Sequence, residues 1–454
     1  MTTTDRQNLD RSITAATQAL LDCQRPDGEW CFELEADATI PSEYILFRHF
    51  LGEPIDTGME GKIAVYLRRT QSAVHGGWPL FQDGDFDLSA SLKAYFALKM
   101  IGESVEAPHM ARARNEIRAR GGAAGVNVFT KLMLALYGFI PWRAVPVMPT
   151  EIMLFPKWFP FHLDKISYWS RTVIVPLLVL MHFKPVAKNP KNVRIDELFI
   201  EPPATLGPAP KAPQQNAALF WFFRGADRLL RLGEPIFSIW TRQRAVDAAV
   251  AWVLERLNGE DGLGGIYPAM ANCVLMFDAL GWPESHPARQ TARRAVDKLL
   301  VVHAGEAYVQ PCVSPIWDTG LAAHALLETG DAEALKRVAK GLNGSSRSRS
   351  LTSEAIGSRG GRMCAPAAGR FNTPTRIIPT WTTPRWWPWP WTAPEAWTPG
   401  SITAPRSNAR RNGSWACRAR TAPGAHSTQT MNIIISTTFR LPTTELCSTL
   451  RPRT

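Results

Sequence analysis

Gln24-Arg25-Pro26-Asp27-Gly28-Glu29-Trp30 and Gln71-Ser72-Ala73-Val74-His75-Gly76-Gly77-Trp78 are two versions of one turn, and their reading decides the fold. Each closes a stretch with apolar residues at helical spacing, 11–24 in the first case and 61–71 in the second. A Gln amide at the end of a helix can bond backbone groups of the turn that follows. The Gly residues let the chain reverse, and the Trp ring covers the reversal. A weaker copy follows 245–257, with Asn258, Asp261 and Gly264-Gly265 but no Trp. Either Gly-x-Trp turns recur here by chance, or helical hairpins repeat and close into a toroid or solenoid of paired helices.

Outward from these turns the helical pattern continues. Segments 88–101, 110–120, 126–137, 245–257, 271–280, 288–302 and 319–329 carry apolar residues at helical spacing. Gly52-Glu53-Pro54 and Gly281-Trp282-Pro283 punctuate the gaps, and strand signals are scarce. The expected fold is all-α, an α/α toroid. Cys23, Cys31, Cys273 and Cys312 show neither metal-ligand nor redox spacing, so a reduced compartment with buried thiols, no metal and no cofactor is expected. Residues 1–10 are polar, without the apolar core of a signal peptide. The most apolar run, 172–183, contains Pro176 and falls short of the roughly 17–25 residues of a spanning helix, so none is expected.

The chain changes character after Asn343. Residues 344–454 contain 15 Arg, no Lys, no Asp and three Glu (Glu354, Glu395 and Glu445). Residues 1–343 hold 36 basic and 37 acidic side chains, so the net +11 comes from the tail alone. The tail also carries Trp386-Trp387-Pro388-Trp389-Pro390-Trp391. We read it as a GC-rich gene translated out of frame, broken near Asn343. Trp has a single codon, so the reading can be checked from the residues. Starting each codon on its present third base turns Trp381-Thr382 and Trp391-Thr392 into Asp, Trp386-Trp387 into Val, and Trp387-Pro388 into Ala. The same frame permits Asp-Val-Asp-Asp beginning opposite Pro379 and Gly-Gly-Trp-Ala-Phe-Gln-Tyr across 366–373. A segment never selected to pack is expected to be unstructured.

Between Gln215 and Trp240 lies a membrane cue. Leu219, Phe220, Trp221, Phe222 and Phe223 are followed by Arg224, Arg228 and Arg231, then Ile236, Phe237 and Trp240. Aromatics on one side and Arg on the other suit a helix lying at an interface. A core helix with a solvated Arg face fits the same pattern.

The ordered set of local patterns resembles the squalene–hopene cyclases of the bacterial triterpene cyclase family over roughly residues 10–342. The residues that carry it are the two Gln-to-Trp turns, Ser42-Glu43-Tyr44-Ile45-Leu46, Pro149-Thr150-Glu151-Ile152-Met153 and Tyr168-Trp169-Ser170-Arg171. Gly264-Gly265-Ile266-Tyr267-Pro268 and Ser314-Pro315-Ile316-Trp317-Asp318-Thr319-Gly320 complete it. The resemblance implies two α/α barrels: 1–34 and 311–342 as pieces of a first barrel, and 35–310 as a barrel inserted into it. It implies squalene as substrate, one leaflet of the inner (cytoplasmic) membrane as location, a homodimer as in the family, and no cofactor or nucleic acid. The family's middle Asp of an Asp-x-Asp-Asp motif protonates a terminal double bond, and ring closures run through carbocations.

That motif is what the hidden frame permits, and the chain as written lacks it. No catalytic residue is therefore retained, and the chain is expected to be inactive. By the family match, Trp169 and Trp317 line the pocket, Ile266 and Pro268 shape the folded substrate, and Glu43 is an auxiliary acid. Plain core packing for each Trp, and a salt-bridge role for Glu43, fit those residues equally. At Leu92-Lys93-Ala94-Tyr95 a Lys stands where relatives carry an acid, and nothing is carried over. Other readings are a class II diterpene cyclase, or a non-enzymatic protein whose basic tail binds membrane or nucleic acid.

Overall fold

Asp56, Asp87, Asn127 and Ser167 each stand one residue ahead of a helix, and each side chain accepts a hydrogen bond from a first-turn N–H. Caps of this kind contribute about 1 kcal/mol each by satisfying a donor the helix leaves open. The protein was described from a computed structural model, which defines residues 3–159, 162–208, 216–233, 239–259 and 262–343. The whole 344–454 tail, Asp261, Ile236, Phe237 and the side chain of Leu219 lie outside the described residues.

The helices are α1 (Thr3–Asp22), α2 (Thr39–Leu51), α3 (Thr57–Thr70), α4 (Leu88–Ile101), α5 (Pro108–Ala119) and α6 (Val128–Leu136). They continue with α7 (Tyr168–Phe183), α8 (Ala217–Gly233), α9 (Ile239–Arg256), α10 (Tyr267–Ala279), α11 (Pro287–Asp297) and α12 (Pro315–Thr329). A further helical segment occupies 332–343. The all-α expectation holds, with two small exceptions. β1 (Leu257–Asn258) pairs antiparallel with β2 (Gly262–Leu263), and β3 (Leu300–Val302) with β4 (Ala307–Val309). The weak third copy of the turn is the first of these hairpins. The predicted helix 288–302 ends at Asp297, because Val301 and Val302 pair with Tyr308 and Ala307 instead.

Helix packing sorts the apolar side chains into two clusters. The larger runs from α2 through α7 and from α9 through α11, with α4 buried almost all round between α2, α3 and α5. The smaller contains Leu21, Trp30, Ala322, Ala323, Leu326, Ala334 and Val338, from α1, α12 and the 332–343 segment. Of α1, only Leu21 is buried.

The two Gln-to-Trp turns have matching bonds. The Gln71 amide donates to the Gly76 carbonyl at 2.6 Å and to the His109 carbonyl at 2.9 Å, while the Trp78 indole N–H reaches Leu67 O at 2.7 Å. The Gln24 amide donates to Gly28 O and Arg337 O, both at 2.8 Å, and the Trp30 indole N–H reaches Leu20 O at 2.7 Å. Backbone N–H groups of the Trp residues donate to hydroxyls, Ser91 for Trp78 and Thr319 for Trp30. Gly76 (φ +70°) and Gly28 (φ +98°) occupy the left-handed region that an L side chain resists.

From Trp30 the chain runs extended along the start of α12. Alternate N–H groups bond side chains there: Trp30 to Thr319 Oγ1 (2.9 Å), Phe32 to Asp318 Oδ2 (2.9 Å) and Leu34 to Gln310 Oε1 (2.7 Å). Among the described residues, no helix is long and apolar enough to cross a membrane.

Candidate functional site

Two helix starts and one strap meet at one end of the larger cluster. Gly264 (φ +74°) lies so close to the first turns of α7 that a Cβ there would stand 2.8 Å from Thr172 Oγ1. Ile266 forms an isolated antiparallel bridge to Cys312, and the Tyr267 N–H donates to Pro311 O at 2.8 Å. Ser314 then leads into α12, whose first turn carries Trp317. The fold thus brings the 169–172, 264–268 and 310–317 stretches together, although they are far apart in sequence.

The individual placements are more exposed than a closed pocket requires. Trp169 is 53 % exposed and Trp317 is 62 % exposed, while Ile266 and Pro268 are half-buried. Among the described residues, neither indole is enclosed. Glu43, on α2, is half-buried and accepts from Lys93 Nζ at 2.6 Å. Lys93 is itself buried on α4, so this is a pair whose separation would leave a charge in the interior. The salt-bridge role for Glu43 therefore has a named partner, and a pocket role remains compatible with it.

Two further groups in this region were not legible in the sequence. Asp37, just before α2, accepts from the Thr39 N–H at 2.6 Å through Oδ1, while its buried Oδ2 has no hydrogen-bond partner among the described residues. Burial raises its carboxyl above the ordinary range, only partly countered by the Thr39 bonds and the Lys93 charge. The Tyr267 hydroxyl is also buried without a hydrogen-bond partner among the described residues, and burial, with the Glu43 charge behind it, pushes its pKa well up. In both groups burial favours the proton-bearing form over the charged one. Farther along the strap, burial raises Asp318 above its usual range against the Phe32 N–H bond, and pushes the Cys312 thiol up to about 11. No motif marks Asp37, and the 264–268 run contains Tyr267 without giving its hydroxyl a role: each is an ordinary residue until a distant helix removes its water.

Comparison with known proteins bears on this arrangement. The squalene–hopene cyclase N-terminal domain matches residues 13–305. The squalene–hopene cyclase of Bradyrhizobium diazoefficiens is 60 % identical over 335 residues, covering 74 % of this chain and 51 % of that protein. The probable squalene–hopene cyclase of Sinorhizobium fredii is 59 % identical over 342 residues, 75 % of this chain and 53 % of its own length. The squalene–hopene cyclase of Zymomonas mobilis is 56 % identical over 339 residues, 73 % of this chain and 50 % of that protein. The chain spans about half the length of the curated relatives it matches. With the paired turns, the helical fold and this extent of identity, the chain belongs to the squalene–hopene cyclase family.

Proposed function

We propose that residues 1–343 are the N-terminal part of a membrane-bound cyclase that folds squalene and closes its rings through carbocations to hopene or a hopanol. The observation that carries the reading is the close approach of the 264–267 run to Thr172 on one side and to Pro311 and Cys312 on the other; in this reading the neighbouring Trp169, Ile266, Pro268 and Trp317 line the pocket. A migrating carbocation is quenched by any nucleophile, so its container must be apolar and still stabilise positive charge. Indole faces supply both, at roughly 0.5–2 kcal/mol per contact. The division of the core into a large cluster and a small α1–α12 cluster supports an inserted barrel over 35–310, with 1–34 and 311–342 belonging to another.

The initiating proton has no donor of the family type in this chain, because no Asp-x-Asp-Asp run occurs among its 454 residues. Loss of a general acid costs roughly 10²–10⁴-fold in rate. The chain as written is therefore inactive in this reading, its tail out of frame from near Asn343.

The α8 face supports a monotopic location in one leaflet of the inner membrane. Trp221 is 66 % exposed and Phe222 and Phe223 are exposed with it, as is Trp240 at the start of α9; in this location Arg224 and Arg228 would lie at head-group level.

The test is to incubate detergent-solubilised chain with squalene and assay polycyclic products by mass spectrometry, beside a version with one base restored in the codons for 341–349. The expected outcome is product from the restored chain only. Product from the chain as written would sink the inactivity; product from neither would sink the cyclase reading.

A further inference from the structure

A cavity of about 220 Å³ lies beside α8, away from the Trp169–Trp317 end. Its wall comes from the 142–151 loop, the end of α7, and the facing positions Arg231 on α8 and Arg242 on α9. Arg143, Lys184, Arg231 and Arg242 bring four cations to this small space, with His182 beside them and Glu151 as the one carboxylate in the lining.

The cations are held in place by the fold. Arg231 donates through Nε and Nη2 to the Asp227 carboxylate (2.8 and 3.2 Å) and through Nη2 to Val145 O (2.6 Å). Its Nη1 has no partner among the described residues. Asp227 in turn accepts from the Val147 N–H at 2.7 Å, which fixes the loop against the guanidinium. Arg143 donates to Leu206 O and Ala204 O. Arg242 stands 3.4 Å from Glu151 Oε1, an ion pair without a hydrogen bond. Arg242 also lies in the first turn of α9, which contains no acid, so the positive end of that helix dipole adds to the same field.

A hydrocarbon suits this space poorly, since it would take water from charged side chains without giving them a polar partner. A phosphate does, because guanidinium forks match its oxygens and helix N-termini favour it. We infer that the cavity binds a phosphate group, either in the head group of a phospholipid beside α8 or in a free phosphate ester. The lipid source rests on the membrane reading of α8; phosphate binding itself does not. Occupied by a lipid, the cavity would fix the depth and rotation of the helix, which the exposed aromatics alone leave free.

The experiment uses the full chain with four variants: Arg242→Gln, Lys184→Gln, the paired Trp221→Ser/Phe223→Ser, and Arg194→Gln. The last removes an exposed charge that is ion-paired with Asp196 and lies over the Phe139 ring, away from the cavity, and controls for general electrostatics, including the Arg-rich tail. Flotation is measured on phosphatidylcholine vesicles and on vesicles containing a minority of phosphatidylglycerol. Melting temperature is measured with inorganic phosphate and with glycerol phosphate. The lipid arm predicts that Arg242→Gln and Lys184→Gln each lower partition onto the anionic vesicles about fivefold, more than Arg194→Gln does. The free-ester arm predicts a rise in melting temperature with glycerol phosphate that both cavity variants abolish. If both cavity variants match Arg194→Gln on vesicles, and neither phosphate compound raises the melting temperature, the proposal is overturned. If the paired aromatic variant floats like the parent chain, the membrane reading fails, and the melting series alone decides the cavity.

Discussion

The turn at 71–78 and the turn at 24–30 are built from the same bonds and live in different surroundings. Gln71 reaches a carbonyl at His109, 38 residues on, inside the large cluster; Gln24 reaches Arg337, 313 residues on, across the small one. Loop-closure entropy grows only slowly with length, so the distance alone separates the two by a few kcal/mol at most. What differs is the packing behind the bond. Trp78 is backed by α3, α4 and the rest of the large core, whereas among the described residues Trp30 packs with α1, α12 and the 332–343 segment. The same local chemistry thus reinforces a core in one place and holds two chain segments together in the other.

The largest effect should come from removing the rings. Trp78→Ala should cost about 3–5 kcal/mol in denaturant unfolding, since removing a fully buried indole leaves a cavity and takes one of two donors from the Leu67 carbonyl. Trp30→Ala should release α1 and 332–343 while the large cluster keeps its hydrogen-exchange protection. Equal loss of protection in both clusters after Trp30→Ala would show that the two are one cooperative unit.

Next comes a charge cluster found only on the large side. Glu53 accepts from Arg293 Nε at 2.7 Å and Nη2 at 2.8 Å, and from Arg48 Nε at 3.0 Å. Burial pushes its carboxyl up, but the Arg293 and Arg48 bonds and charges win and hold it below the usual value. Glu53→Gln should cost about 1–3 kcal/mol at neutral pH, since it removes the carboxylate paired with Arg48 and leaves Arg293, among the described residues, with Asp297 alone. The depressed value means that this stability is present above the ordinary Glu pKa of 4.5 and is lost as the pH falls through the folded one. A variant whose acid unfolding matches the parent's would remove Glu53 from the account.

The Gln amides sharpen the comparison further. Gln71→Leu and Gln24→Leu each strip two carbonyls of a donor, and each should cost about 1–3 kcal/mol. Gln24→Leu should show its loss as faster proteolysis near Arg337, with the 109 region unchanged. Matching proteolysis patterns for the two variants would erase the distinction between the turns.

The smallest expected effect has the opposite pH sign. Asp318 has a raised carboxyl, so its contribution is full below the ordinary Asp value of 3.8 and lost as the pH rises through the raised one. Asp318→Asn keeps an oxygen for the Phe32 N–H and should change neutral-pH stability by less than about 1 kcal/mol. It should also flatten the slope of stability against pH above that value. An unchanged slope would mean that Asp318 does not titrate within the folded strap.

How much of this was legible depends on how far each signal reaches. α4 begins and ends where its pattern says, because Asp87 caps it and Gly102 stops it within its own sequence. α2 went unread as a helix: Ile40, Tyr44, Ile45, Leu46, Phe47 and Phe50 bury it on nearly every side, so it has no polar stripe. α7 was seen only as an apolar run interrupted by Pro176. The Gln and Trp of both turns were visible, but their acceptors at Arg337 and His109 were not, since neither carries a motif. At the candidate site, family resemblance picked out Trp169, Ile266, Pro268, Trp317 and Glu43. Lys93 as the partner of Glu43, and the buried Asp37, emerge only once α2 and α4 pack together.

The long reach of Gln24 also sets a clock. A ribosome adds about 5–20 residues per second, so the 313 residues between Gln24 and Arg337 take about 15–60 s to emerge. Throughout that interval α1 exists without its lid, while the 71–78 turn closes within seconds of its own synthesis. The first helix made is thus among the last to be secured, and for that whole interval its Leu20–Leu21 edge is open to a chaperone, a membrane or another nascent chain.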